Sequence, residues 1–126
     1  MTAAAWIKLG AGLAGLSVGL GAFAAHGLKA RLSPDMLAVF ETGARYQMYH
    51  ALALIAVGLI AARWPSKPVA VAGCCFALGI FWFSGSLYAL ALTGIRKFGA
   101  LTPIGGLLFL IGWAALLAAP LPKVLE

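Results

Sequence analysis

Helical spacing gathers a few polar side chains that this apolar chain has reason to exclude. Gly43, Tyr46, Gln47, His50 and Leu54 recur at the spacing of one helical face, so Gln47 and His50 point the same way. Ser84 and Tyr88 stand four residues apart, with Ser86 between them, and His26 and Thr102 add one polar group each. A histidine titrating near its ordinary value of about 6.5 can pass a proton. An amide and several hydroxyls can hold a polar ligand by hydrogen bonds. Arg45 adds a cation suited to a phosphate group. Binding or proton-linked transport is therefore the chemistry these types permit.

Catalysis and metal binding need constellations that are missing. No Asp or Glu stands near Ser84 or Ser86 to complete a triad, and both read as glue between helices. Cys74 and Cys75 are adjacent, a spacing that fits no zinc motif, and they read as buried small hydrophobes. The run Gly19–Ala24 imitates a dinucleotide fingerprint but lies inside an apolar span. No enzyme, metal or cofactor is expected.

The elements that carry these groups follow from composition and charge. The chain has 126 residues, is 63% hydrophobic and only 10% charged. A typical soluble domain is roughly 45–50% apolar and about 25% charged, so a soluble fold and a disordered chain are both excluded. Four stretches carry no charge: 9–28, 46–62, 68–95 and 98–122. A bilayer core of about 30 Å takes roughly 17–25 residues of helix, and backbone in hydrocarbon must pair with itself. The expected architecture is all-α, an integral membrane four-helix bundle in one domain. Its helices span about 4–26, 34–63, 68–93 and 103–119, the first part of the second being amphipathic and interfacial. Lys8, the apolar run and Ala22-Phe23-Ala24 imitate a secretory signal, but the run is long for one.

Punctuation supports these bounds. Ser33-Pro34-Asp35 reads as cap, first helical residue and first-turn acid, and Thr102-Pro103 repeats the first two. Ala11, Gly15 and Gly19 repeat every four residues, with Gly12 and Gly21 nearby; Gly79, Gly85, Gly105, Gly106 and Gly112 follow in later helices. Small residues let membrane helices approach closely, so internal packing is expected, with pairing to another chain as the sharper reading. Trp6, Trp64 and Trp113 read as interfacial or lipid-facing anchors.

With four crossings, the termini share one side with Lys8, Arg63, Lys67 and Lys123. The loops carry Lys29, Arg31, Arg45, Arg96 and Lys97. The more cationic side is placed in the cytoplasm, so the termini face outward. The net charge of +6 suits basic rims against anionic lipid. No basic stretch is long enough to bind nucleic acid.

His26, Arg45, Tyr46, Gln47, His50, Ser84, Ser86, Tyr88 and Thr102 all belong to the loop half, and the other half is nearly bare of polar groups. A channel needs polar lining through its depth. A pocket at one membrane face does not, and His50, Gln47, Ser84 and Tyr88 would form its floor, with His26, Arg45 and Thr102 at its rim.

Four ordered segments carry a resemblance: Gly21–Leu28, Thr42–Leu52, Phe83–Tyr88 and Thr102–Gly106, followed by Gly112-Trp113. Together they resemble a small bacterial inner-membrane family of unknown function, domain family 423, from about Gly12 to Trp113. Ala24 stands where that family more often has Gly. The resemblance implies four membrane helices and a bacterial inner-membrane location, with no established activity. The expected function is a non-enzymatic binding or accessory protein holding a lipid head group or a partner membrane protein. The alternative is an oligomeric small-solute or proton-coupled transporter. The expected partners are the lipid bilayer and a membrane-protein partner or homo-oligomer.

Overall fold

The computed structural model describes residues 1–123 and contains four long helices with no strand among the described residues. They are α1 (Ala3–Leu28), α2 (Pro34–Arg63), α3 (Lys67–Thr93) and α4 (Thr102–Leu117). A short 3-10 turn, Arg96–Ala100, links the last two. Polar side chains start the first three. Thr2 Oγ1 accepts from Ala5 N at 3.1 Å, Ser33 Oγ from Met36 N at 3.2 Å, and Ser66 Oγ from Val69 N at 3.5 Å. Each satisfies a backbone donor that has no partner within the helix. α4 differs from its expected start. Leu101 occupies the cap position, and the Thr102 hydroxyl is used elsewhere.

α1, α3 and the Arg96–Leu117 run are long and apolar enough to cross a membrane. α2 is the departure from four equally apolar spans. Its 30 residues reach about 45 Å, but Arg45, Gln47 and His50 interrupt its apolar stretch. Gln47 and His50 are buried inside the bundle, where hydrogen bonds replace the water they lose. α2 is a single uninterrupted helix from Pro34 onward, and its first part packs Phe40 into the interior.

α2 packs along α1 and α3, and α3 packs along α4. Two apolar clusters result. One joins Trp6, Leu54, Val57, Val69, Phe76 and Phe109. The other joins Ala24, Leu28, Phe40 and Ala91 near the loops. Trp6 is therefore no surface anchor: it is buried because Gly73 lets its indole lie on the α3 backbone. Cys74 also departs from expectation, being exposed, while Cys75 is half-buried.

The glycines divide into two sets. A Cβ at Gly10 would stand 2.6 Å from Ala51 O, and one at Gly58 would stand 2.6 Å from Ile7 Cγ1 and 2.8 Å from Ala3 O. These two positions set the close approach of α1 to α2. Gly105 does the same for α4 against the Phe83 backbone, and Gly79 and Gly112 also meet aromatic rings across that contact. Gly12, Gly15, Gly19 and Gly21 have no atom within 4 Å of a Cβ position. The expected internal packing fails for these four because the outer face of α1 turns away from the other helices.

Candidate functional site

A polar layer lies between the two apolar clusters, and α2 supplies its centre. Gln47 is 2% exposed. Its Nε2 donates to Leu13 O of α1 at 2.9 Å, and its Oε1 accepts from the Tyr88 hydroxyl of α3 at 2.7 Å. One amide thus ties three helices together. Gly43, one turn earlier, gives the Tyr88 ring room, since a Cβ there would stand 2.8 Å from Tyr88 Cε1. The Gly43 carbonyl accepts from Ser84 Oγ at 2.7 Å.

His50 faces a different neighbour. Its Nδ1 lies 2.8 Å from Tyr46 O, and Trp113 Nε1 donates to its Nε2 at 3.0 Å. An indole nitrogen can only donate, so Nε2 is the acceptor and Nδ1 carries the hydrogen given to Tyr46 O. The ring is a neutral imidazole with both nitrogens engaged. It stacks on Phe109, with centroids 3.5 Å apart and planes 7° apart. Phe109 lies about 10 Å along α4 from Thr102, which sets the depth of His50. The partner of His50 Nε2 thus comes from α4, not from the hydroxyls of α3. Trp113 is 45% exposed, so its outer edge faces the lipid while its nitrogen reaches inward.

A third polar contact joins α3 to the start of α4. Ser86 Oγ donates to Phe83 O at 2.8 Å and lies 2.6 Å from Thr102 Oγ1, so Thr102 is the donor between the hydroxyls. α4 therefore starts level with Ser86, below the end of α3 at Thr93. Gly94, with φ of 71°, ends α3 in the left-handed conformation that favours glycine. The chain then folds back along the bundle to reach Thr102.

The structure thus brings Gln47 to Tyr88, Ser84 to the Gly43 carbonyl, His50 to Tyr46 and Trp113, and Ser86 to Thr102. Gln47 and His50 serve separate branches, because a three-residue step leaves them about 60° apart around α2. The Tyr46 ring sits 4.8 Å from that of Phe83 and is 38% exposed. His26 and Arg45 are exposed and stand outside this network. No buried side-chain nitrogen or oxygen among the described residues lacks a partner. No group of three metal-binding side chains occurs among them either. Trp113, read from the sequence only as an anchor, is the functional residue that spacing does not reveal; its ring nitrogen is the one side-chain polar atom of α4 beyond Thr102.

The family profile of DUF423, a protein of unknown function, matches residues 20–106. The chain is similar to the UPF0382 membrane protein SERP0230 of Staphylococcus epidermidis, with 51% identity over 92% of this chain and 94% of that one. It is 53% identical to the UPF0382 membrane protein SH2409 of Staphylococcus haemolyticus, over 89% and 91% of the two chains. It is 46% identical to the UPF0382 membrane protein YwdK of Bacillus subtilis, over 90% and 94%. No solved structure matches.

Proposed function

From the premise that the chain belongs to the DUF423 family of unknown function, we propose a non-enzymatic, multi-pass protein of the bacterial inner membrane that works by binding. Its loop end engages anionic lipid head groups. The observation that carries this reading is a contrast in hydrogen-bonding capacity. The inner polar groups are satisfied by one another. Lys29, Arg31, Arg96 and Lys97 are exposed at the loop end, against Asp35, while Glu41 and Arg45 are exposed farther down α2. The charged groups exposed at that end are therefore mainly cationic. Each Lys or Arg near an anionic leaflet contributes about 1 kcal/mol. Facing the loop end to the cytoplasm puts these cations against that leaflet and the termini outside.

In this reading Gln47, Ser84 and Tyr88 hold the helices that present His26 at the rim and Arg45 below it. A proton-coupled carrier would need His50 to release the Trp113 nitrogen in every cycle, which argues against transport.

Native mass spectrometry of the protein released from its own membrane, without overexpression, tests the reading. Retained anionic lipid is the expected result. Retention of neutral lipid only, or of none, overturns it. A heavier hetero-complex would instead favour the accessory role with a partner membrane protein. pH-driven flux in liposomes would favour the transporter.

A further inference from the structure

The fold-back between α3 and α4 creates a feature that the internal polar network does not use. The Arg96–Ala100 turn lies over the outer side of α3 and leaves a groove of about 270 Å³ beneath it. Phe81, Trp82, Ala89, Phe98 and Leu101 wall this groove, and Gly85 lies at its floor with no atom within 4 Å of a Cβ position. The one hydroxyl beside it, that of Ser86, already donates to Phe83 O and accepts from Thr102. The groove therefore offers apolar surface and width but no free polar group. Two cations, Arg96 and Lys97, are exposed on the same short turn that carries Phe98.

An apolar slot beneath a turn that also carries two cations matches one class of membrane molecule. The geometry points to a site for a single anionic phospholipid, its acyl chain in the α3–turn groove and its phosphate at Arg96 and Lys97. A neutral phospholipid fills the slot equally well but leaves the two cations without a net countercharge. Phe98, on the turn with the two cations, suits the level where chain meets head group, and Trp82, about 16 Å down α3 from Thr93, lies along the acyl path. The inference rests on the anionic-lipid reading above and narrows it from a charged rim to one place in the fold.

The test uses the full chain in bilayers containing phosphatidylglycerol with a photoreactive diazirine midway along one acyl chain. A matched bilayer carries the same group on phosphatidylcholine. After irradiation, adducts are mapped by peptide mass spectrometry. The expected result is labelling concentrated at 81–89 and Phe98, stronger from phosphatidylglycerol. Gly85→Leu fills the groove from an open position, so it should keep the fold and the retention of phosphatidylglycerol while losing those adducts. Replacing Arg96 and Lys97 by Gln should lower the phosphatidylglycerol excess roughly fivefold per charge. If the excess persists while label spreads evenly over lipid-facing positions such as Leu107 and Leu110, the groove is wrong and the wider reading stands. If phosphatidylglycerol shows no excess anywhere, both fall.

Discussion

The indole nitrogen of Trp113 donates to Nε2 of His50 at 3.0 Å, joining α4 to α2 through the middle of the bundle. Phe109, one turn earlier on α4, stacks on the same imidazole. The two contacts fix the ring from its edge and its face. They also define which nitrogen carries hydrogen, and so what each substitution leaves behind.

Trp113→Phe removes the indole donor to Nε2, and His50→Leu removes the acceptor for the indole. Hydrogen bonds between membrane helices are worth about 0.6 kcal/mol on average and roughly 1.7 at most. A double-mutant cycle followed by unfolding in detergent should return a coupling in that range. Additivity within about 0.3 kcal/mol would mean that the bond contributes nothing.

Gln47 and Tyr88 should not be equivalent, although they share one hydrogen bond. Gln47→Leu frees Leu13 O from α2 and strips the acceptor from a half-buried phenol. Its expected cost is about 1–3 kcal/mol. Tyr88→Phe leaves the amide bonded to Leu13 O, so about 0.5–1.5 kcal/mol is expected. Thermal unfolding of the two variants side by side checks the order, and a larger loss for Tyr88→Phe would refute the three-helix role given to Gln47.

The glycines predict opposite signs. Gly105→Ala places a methyl against the Phe83 backbone and Gly10→Ala places one against Ala51 O. Overpacking of this kind costs about 1–3 kcal/mol. Gly15→Ala meets empty space, and replacing glycine in a helix with alanine gains up to about 1 kcal/mol. Melting temperatures of the three variants in detergent should fall, fall and hold or rise. A fall for Gly15→Ala in the isolated chain would contradict an open α1 face.

Orientation has its own readout. A C-terminal alkaline phosphatase fusion should be active and a C-terminal green fluorescent protein fusion dark, as the proposed cytoplasmic placement of the loop cations requires. The reverse pattern would move those cations to the outer face and remove the anionic leaflet from the proposed function.

Charge gaps made the four helices legible, and helical spacing singled out Gln47, His50, Ser84 and Tyr88 before any coordinates. Periodicity reports which face a residue shares with its neighbours on one helix. It says nothing about what lies opposite. That is why Trp113 was read as an anchor instead of the partner of His50, and Thr102 as a cap instead of the partner of Ser86. Trp6 illustrates the same limit. Its burial depends on Gly73, a residue far along the chain whose only contribution is the absence of a side chain. The α1 glycines looked like the buried ones in sequence, because only the position of the other helices separates an inner face from an outer one.

The π-helical turn Ile80–Ser84 in α3 also bears on chain length. Ala72, Phe76, Ile80 and Ser84 are all buried at successive steps of four. An ordinary helix drifts about 40° with each such step, and the wider turn absorbs the drift. The segment acts as a stored one-residue insertion. Deleting a single residue inside it would let an ordinary α-helix close with everything beyond kept on nearly the same face, because the extra residue is what the wider turn takes up. Leu87 and Ala91 would stay turned toward α2, and the Gly43 carbonyl would keep its donor. A single-residue deletion within residues 80–83 therefore keeps the bundle, whereas the same deletion in the α-helical part of α3 turns everything beyond it by about 100°.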